Sequence, residues 1–232
     1  MFYGIGVGVG SPGAVTKNGI DVLNTLDILY VPTAKKTEKF SVAHNIVKDY
    51  LNDDTIIKER HFPMNYDTKE LQESWKSIAG EIENDVLEGK RVGFVTIGDP
   101  MIYSTYIYLL KILKDKINIT TIPGITSFLD IAAKNNFPLV EGEDALVIVP
   151  ATIGEDKIRS YIKNESSIVL MKVYKNYEDI LKLIIEEKLD NCSIAVSNSS
   201  KDEEVVYKNI CDMKKEDVSY FTTILINKKW KV

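Results

Sequence analysis

The sequence is poor in the residues that build metal sites. Its 232 residues include two cysteines, Cys192 and Cys211, and two histidines, His44 and His61, which lie far apart along the chain. No Cys-x-x-Cys pair is present, so the spacing argues against a structural zinc site. We therefore expect no metal site in the protein itself.

The sequence also lacks a surplus of positive charge and any long apolar run. Acidic residues outnumber Lys and Arg by 34 to 29, and the resulting net charge of −5 disfavours a nucleic-acid partner. No apolar stretch approaches the roughly 18 residues that a membrane-spanning helix needs. The first residues are typical of a strand, with no basic segment like that of a signal peptide. These absences predict a soluble cytoplasmic protein with neither nucleic acid nor membrane as its partner.

What the sequence does contain is a regular alternation of short apolar strands and amphipathic helices. The clearest helix is predicted at 69–88, where apolar residues recur at helical spacing and Gly89 ends the pattern. The alternation weakens toward the end of the chain, where strands follow one another with little helix between them. Strands are predicted at 2–7, 28–31, 55–59, 91–96, 117–122, 145–149, 167–172, 193–197, 203–207 and 221–227.

This pattern predicts two α/β domains, and the chain is long enough for two of about 110 residues each. We place the boundary at the Pro-Gly step of residues 123 and 124, which gives an N-terminal domain of residues 1–122 and a C-terminal domain of residues 123–232. The first domain should hold a mostly parallel sheet and the second a mixed one. Loops at the carboxyl ends of the strands should face a ligand cleft between the domains.

A glycine-rich segment ends the first strand. Residues 8–13 spell Gly-Val-Gly-Ser-Pro-Gly, which fits the Gly-x-Gly-x-x-Gly pattern of dinucleotide-binding proteins. That fold requires an acidic residue at the end of the second strand, where this chain has Val31-Pro32-Thr33. A nicotinamide or flavin site is therefore disfavoured. A structural glycine turn and a backbone that admits another ligand closely both stay open.

Two further loops follow the fourth and fifth strands. One contains Gly98-Asp99-Pro100, and the other reads Ile-Pro-Gly-Ile-Thr-Ser-Phe over residues 122–128. Each loop alone is typical of a turn that starts a helix. In the second, the free N–H groups of the helix and the hydroxyls of Thr126 and Ser127 could hold a polar ligand. Together with the first glycine loop, they predict one ligand site.

With these three loops the sequence resembles the tetrapyrrole methylase family, the class III methyltransferases, over essentially its whole length. The resemblance implies two α/β domains, a homodimer, and S-adenosylmethionine bound in the cleft between the domains. The most similar branch methylates C20 of precorrin-2 or cobalt-factor II in cobalamin biosynthesis. The segments that carry this closer resemblance are residues 3–8, Val31-Pro32, Phe62-Pro63-Met64, Trp75 and residues 98–105.

Several other functions stay open. Other members of the family methylate other corrin positions, uroporphyrinogen III, diphthine or ribosomal RNA, and they would share the fold and the cofactor loops. A nicotinamide-dependent oxidoreductase is the alternative from a different class of enzyme. A carrier that binds a tetrapyrrole or a nucleotide without turnover is the non-catalytic one.

The resemblance also implies site residues in both domains. Those expected to contact the cofactor are Pro12, Gly98, Asp99, Ile102, Thr126, Ser127, Ala151, Met171, Asn198, Thr222 and Thr223. Those expected to contact the tetrapyrrole are Gly8, Gly10, Lys35, Lys36 and Arg60. No catalytic residue is assigned, because an electron-rich acceptor carbon and a sulfonium methyl donor need no protein nucleophile. Any cobalt would belong to the substrate, and Met101 and Trp75 are expected to lie in the core.

Overall fold

The computed structural model describes residues 1–33, 42–62 and 68–232, with the backbone alone for 68–70. Lys35 and Lys36 therefore lie outside the described residues. The chain forms two compact units, Met1–Thr126 and Ser127–Val232. Each unit is built around one five-stranded sheet.

In the first unit, all neighbouring strands are parallel, in the order β3-β2-β4-β1-β5. The predicted parallel sheet is thus confirmed. The strands are β1 (Phe2–Gly6), β2 (Ile28–Thr33), β3 (Ile56–His61), β4 (Val92–Thr96) and β5 (Ile119–Ile122). The α-helices of its described residues are α1 (Lys17–Leu23), α2 (Val42–Val47), α3 (Thr68–Leu87) and α4 (Tyr106–Leu113).

Helices cover both faces of this sheet. On one face, Leu23 of α1 and Ile46 of α2 pack against side chains of β1 and β2. On the other, Ile82 of α3 and Leu109 of α4 pack around Phe94 of β4. A parallel strand covered on both faces needs an almost continuous apolar sequence, which β4 has. Burial of these side chains, at about 25 cal/mol per Å² of apolar surface, is the main stabilising contribution.

In the second unit, the strand order is β6-β7-β10-β8-β9. β6 and β7 are parallel, while β10 is antiparallel to both β7 and β8, and β9 is antiparallel to β8. The predicted mixed sheet is confirmed. The strands are β6 (Leu146–Pro150), β7 (Ser167–Met171), β8 (Ser193–Ser197), β9 (Val205–Tyr207) and β10 (Thr223–Asn227), and the α-helices are α5 (Ser127–Lys134), α6 (Glu155–Asn164) and α7 (Tyr177–Glu186).

β2 and β3 each extend two residues beyond the end that the sequence predicted. Pro32 was expected to close β2, but it lies inside the strand and pairs with Arg60 of β3. Proline is tolerated there because the ladder between β2 and β4 covers only residues 28–30, so no hydrogen bond on that side needs its missing N–H. β3 likewise continues to His61, so Arg60 lies within the strand and not in the loop after it.

A polar group lies between β2, β3 and α3. Tyr30 is fully buried, and its hydroxyl donates a hydrogen bond of 2.6 Å to Asp85 Oδ2. The Lys58 ammonium forms a salt bridge of 2.6 Å with the same oxygen. Burial, and after it the hydrogen bond to Asp85, raises the pKa of the Tyr30 hydroxyl well above its ordinary value of 10. The neutral hydroxyl therefore contributes to the stability of the fold.

Replacing Tyr30 by phenylalanine should change how stability depends on pH. A raised pKa in the folded state gives stability that is complete below pH 10 and is lost as the pH rises above it, because the unfolded chain ionises first. Tyr30→Phe should lower the free energy of unfolding by about 1 kcal/mol at neutral pH. Above pH 10 the free energy of unfolding of the variant should fall less steeply with pH than that of the wild type, by up to about 1.4 kcal/mol per pH unit. Urea denaturation at a series of pH values measures both effects.

The matched control is Tyr161→Phe on the exposed side of α6, which should leave both quantities unchanged. Parallel stability curves for Tyr30→Phe and the wild type above pH 10 would contradict a contribution from the buried hydroxyl.

Candidate functional site

The three glycine and proline loops follow three adjacent strands of the first sheet. β4, β1 and β5 are parallel neighbours, so their carboxyl ends lie at one edge. The connection that leaves β1 crosses toward β2, whereas the one that leaves β4 crosses to β5 on the opposite side. Parallel sheets bind ligands outside the carboxyl ends of strands whose connections diverge in this way. This edge of the sheet is the candidate site of the first unit.

Backbone contacts join the three loops directly. The Gly98 N–H donates to the Gly8 carbonyl over 2.7 Å, within an antiparallel bridge between the two residues. Gly98 has φ of +74°, a conformation that favours glycine. A Cβ atom at Gly124 would lie 2.1 Å from the Gly98 carbonyl oxygen and 2.8 Å from the Gly6 Cα atom. Only glycine at position 124 therefore allows the loops to approach so closely.

Asp99 ties the second loop to the third. Its Oδ2 atom accepts a hydrogen bond of 3.0 Å from the Gly124 N–H, and its Oδ1 atom accepts one of 2.8 Å from the Met101 N–H. Hydrogen bonds to an ionised carboxylate are about twice as strong as neutral ones. Asp99 therefore holds two backbone segments in place, a role that its motif alone does not reveal.

The third loop contains a buried polar atom without a partner. Thr126 is 7% exposed, and its Oγ1 atom forms no hydrogen bond with any described residue. A buried hydroxyl left unpaired costs about 1–3 kcal/mol, so such an atom marks a place where a ligand can bond. Ser127 begins α5, whose first N–H groups have no acceptor within the helix. Free N–H donors at the start of a helix suit an anionic group such as a carboxylate.

The remaining predicted residues of these loops lie at the same edge. Pro12 is exposed, and its carbonyl accepts a hydrogen bond of 3.2 Å from the Tyr50 hydroxyl. Gly10 has φ of +131°, and Ile102 is half-buried. Met101 was expected in the core, but it is 53% exposed because the turn at residues 99–101 leaves its side chain in solvent.

Trp75 of α3, in contrast, is half-buried and packs against the core as expected. Its ring stacks on Tyr108 of α4 with 3.8 Å between the ring centroids and 4° between the planes. The indole therefore joins the two helices on one face of the first sheet.

Arg60 lies apart from the three loops, at the end of the edge strand β3, which β2 separates from β4. Its Nη2 atom forms a salt bridge of 2.5 Å with Glu81, and its Nη1 atom donates to the Glu59 carbonyl over 2.8 Å. The hydrogen bond with Glu81 raises the pKa of the guanidinium above its ordinary value, although burial opposes this. An anionic substrate would have to share Arg60 with Glu81, and its contact with the substrate stays a prediction.

The predicted cofactor residues of the second unit lie along one edge of the second sheet. β6, β7 and β8 run in one direction and β10 in the other, so the carboxyl ends of the first three share an edge with the amino end of β10. Met171 and Asn198 are half-buried there, and the others are buried. The predicted residues on this edge are Ala151, Met171, Asn198, Thr222 and Thr223.

Short polar side chains connect the loops of this second edge. The Ser197 and Thr222 hydroxyls lie 2.8 Å apart, and the Ser219 hydroxyl donates to Asn198 Oδ1 over 2.8 Å. Thr222 Oγ1 also accepts a hydrogen bond from the Ser219 N–H. Ser197 and Ser219 were not among the predicted site residues. The polar run Ser-Asn-Ser-Ser at residues 197–200, directly after a strand, is the signal that could have indicated this network.

The part of the chain that the structure describes has no group of three His, Cys, Asp or Glu side chains arranged to hold a metal ion. Cys192 is buried, Cys211 is exposed, and both are free thiols. Within the same residues, every helix is too short or too polar to cross a lipid bilayer.

Replacing Gly124 by alanine tests the close approach of the three loops. The added Cβ overlaps the Gly98 carbonyl, so the loops must separate, and we expect the free energy of unfolding to fall by about 1–3 kcal/mol. Gly80→Ala is the control, because a Cβ at that helical position meets no atom within 4 Å. That substitution should raise stability by about 0.5–1 kcal/mol. Urea denaturation compares the two, and a Gly124→Ala protein as stable as the wild type would contradict the close packing.

Comparison with solved structures finds methyltransferases that have the same fold. A solved cobalt precorrin-4 methyltransferase, described as a cobalamin biosynthetic enzyme, superimposes with a TM-score of 0.76 at 19% identity, over 97% of this chain and 94% of that one. A uroporphyrin-III C-methyltransferase from Thermus thermophilus, complexed with S-adenyl homocysteine, superimposes with a TM-score of 0.67 at 15% identity, over 98% and 97% of the two chains. At these identities the two structures show a shared fold.

The sequence comparisons reach further. A cobalt-precorrin-2 C(20)-methyltransferase from Salmonella typhimurium is 34% identical over 230 residues, which are 99% of this chain and 97% of that protein. The family model described as Tetrapyrrole (Corrin/Porphyrin) Methylases matches residues 1–212. The resemblance predicted from the three loops is thereby confirmed, and the chain belongs to the tetrapyrrole methylase family.

Proposed function

We propose that the protein transfers a methyl group from S-adenosylmethionine to C20 of cobalt-precorrin-2, in cobalamin biosynthesis. The relative from Salmonella that is named for this substrate supports the proposal through 34% identity over nearly the whole chain. The structural observation that carries it is the buried Thr126 hydroxyl without a partner among the described residues, beside backbone loops that glycine allows to pack closely. Methylation of another corrin position or of uroporphyrinogen III is the competing assignment within the family.

The residues at both sheet edges suit the cofactor. Its methionine part carries a carboxylate, which we assign to the Thr126 hydroxyl and the first N–H groups of α5, and an ammonium group, which we assign to backbone carbonyls of the glycine loops. Pro12, Gly98 and Ile102 complete this set. We assign the remaining cofactor contacts to the edge of the second sheet. They are Ala151, Met171, Asn198, Thr222 and Thr223.

The main task of the protein is to position the two reactants. Bound S-adenosylmethionine supplies an electrophilic methyl group attached to a positively charged sulfur. The acceptor carbon is conjugated with the ring nitrogens, so no nucleophilic side chain is required. Correct orientation of two reactants can lower the activation free energy by about 7–11 kcal/mol. The contacts of Asp99 and Gly124 fix the loops before a ligand arrives, which is the preorganisation that such catalysis needs.

The substrate carries several carboxylates and needs cationic partners. We assign Arg60 to this role together with Lys35 and Lys36, which lie outside the described residues, and Gly8 and Gly10 to contacts with the ring. Cobalt is part of the substrate in this proposal, as the name of the Salmonella relative suggests. A homodimer in the cytoplasm belongs to the same proposal on the strength of the family resemblance, and light scattering tests the dimer.

The direct test is anaerobic incubation of the purified protein with S-adenosylmethionine and either cobalt-precorrin-2 or metal-free precorrin-2. We expect mass spectrometry to show one added methyl group on the cobalt substrate together with S-adenosylhomocysteine. A ¹³C-labelled methyl group should then appear at C20 by NMR. Methylation of the metal-free substrate alone would overturn the cobalt assignment. Methylation of uroporphyrinogen III, with neither precorrin-2 form modified, would overturn the C20 assignment.

Replacing Thr126 by valine should change stability and cofactor binding in opposite directions. Valine keeps the shape but removes the unpaired hydroxyl, so the free energy of unfolding of the ligand-free protein should rise by about 1 kcal/mol. The lost hydrogen bond should weaken S-adenosylmethionine binding about tenfold. Calorimetric titration and urea denaturation measure the two quantities.

Thr55→Val is the matched control, because Thr55 lies at the amino-terminal end of β3, away from the carboxyl ends of the strands. Its hydroxyl donates to the Leu26 carbonyl over 3.1 Å. Its loss should lower stability and leave cofactor affinity unchanged. A Thr126→Val protein that binds S-adenosylmethionine as tightly as the wild type would remove the hydroxyl from the proposed site.

A further inference from the structure

The loop after β8 contains two residues in a strained conformation. Asn198 and Ser200 have φ of +55° and +61°, in the left-handed region that residues other than glycine adopt at a free-energy cost. Such conformations persist where surrounding contacts impose them, and they are frequent at ligand-binding sites. The contacts that impose them are therefore of functional interest, because Asn198 is one of the proposed cofactor contacts.

Asp130, in the first turn of α5, is the anchor for this loop. Its Oδ2 atom accepts a hydrogen bond of 2.8 Å from the Ser199 hydroxyl and one of 3.0 Å from the Ser200 hydroxyl. The Asp130 side chain is 16% exposed, and Ser199 is buried. Bonds from hydroxyl groups to an ionised carboxylate are short and strong, most of all where water is largely excluded. The two residues that directly follow Asn198 are thus fixed to α5.

Lys134 and Glu204 complete the anchor. Lys134 lies one helical turn after Asp130, 3.2 Å from its Oδ2 atom, and donates to the Ser200 hydroxyl over 2.6 Å. Glu204 accepts a hydrogen bond of 2.6 Å from the Ser200 N–H. Burial alone would lower the pKa of the Lys134 ammonium, but the hydrogen bond with Asp130 and the negative charges around it raise that pKa. The loop is therefore held through both its hydroxyls and its backbone.

The other side of the loop contacts the segment that precedes β10. The Ser219 hydroxyl donates to Asn198 Oδ1 over 2.8 Å. The Lys201 ammonium lies 3.1 Å from the centroid of the Phe221 ring, and burial lowers the pKa of that ammonium. Asn198 is thus held by its side chain on this side, while Asp130 restrains the backbone that follows it.

We propose that Asp130 is a positioning residue for cofactor binding, which fixes Asn198 relative to Ser127 at the start of the same helix. Asp130 follows Ser127 by three residues, so α5 carries one proposed cofactor contact and the anchor of another. Asp130 acts through the loop and does not itself touch the cofactor. This inference rests on the proposed function, since both contacts are assigned there.

The test is the Asp130→Asn variant of the full chain. The amide keeps the size of the side chain but removes the charge that orders Ser199, Ser200 and Lys134. We expect the Kd and the KM for S-adenosylmethionine to rise about tenfold, the effect of losing roughly one charge-assisted hydrogen bond, while kcat changes less than about twofold. Calorimetric titration gives the Kd, and initial rates at saturating tetrapyrrole give KM and kcat.

Ser199→Ala provides a second variant, which removes one hydrogen bond and leaves the carboxylate paired with Lys134. It should raise the Kd in the same direction, and the double variant should bind no more weakly than Asp130→Asn alone, because both changes remove the same contact. Fully additive effects would contradict a shared role.

Asp156→Asn, on the exposed first turn of α6, is the matched control and should retain wild-type Kd and KM. An Asp130→Asn protein with reduced thermal stability but an unchanged Kd would overturn the inference, because the residue would then be merely structural. In that case the wild type still binds S-adenosylmethionine, and the proposed function stands. A wild-type protein that does not bind S-adenosylmethionine would instead overturn the proposed function.

Discussion

The close contact between the Gly98 carbonyl and the backbone of Gly124 is the constraint on which the candidate site of the first unit depends. Three parallel strands end side by side there, and the loops that follow them have room only if side chains are absent at the points of contact. The close approach allows hydrogen bonds between the loops, from the Gly98 N–H to the Gly8 carbonyl and from the Gly124 N–H to the Asp99 carboxylate. These bonds fix the loops without using the Thr126 hydroxyl, which forms no hydrogen bond with any described residue and stays available for a ligand. Close packing of backbone thus prepares the site before any ligand is bound.

The second unit reaches a comparable result by different chemistry. Its β10 strand runs against its neighbours, so the edge combines three strand ends with one strand start. Serine and threonine hydroxyls join the loops of this edge, since each hydroxyl can donate one hydrogen bond and accept others. The loop after β8 contains two residues with left-handed backbone, which raises the free energy of the folded state. The hydrogen bonds and ion pairs around Asp130 offset this strain.

Much of this was readable in the sequence, because the informative signals are local. Periodicity predicted both sheets, and parallel strands necessarily bring their carboxyl ends to one edge. The motif spelling indicated that glycine was needed, but it could not separate the positive φ of Gly98 from the close approach at Gly124. The extension of β2 through Pro32 depends on where its pairing with β4 stops, and this is set by the tertiary structure and not by the local sequence. The hydrogen bond between Asp130 and Ser199 joins residues 69 positions apart in the sequence, and no pattern within either segment predicts it.

Charge sets a limit on how the proposed substrate can be held. The chain has a net charge of −5, and Arg60 is already paired with Glu81. When a substrate carboxylate replaces or shares Glu81, one ion pair is exchanged for another, so the net gain in affinity is small. Arg60 therefore suits a role in orienting the substrate better than a role in attracting it. Affinity for a flat conjugated ring must then come mainly from buried apolar surface and from polar groups that are unpaired in the free protein. The loops themselves must then provide most of the affinity, and the hydrogen bonds that fix the loops in both units serve this purpose.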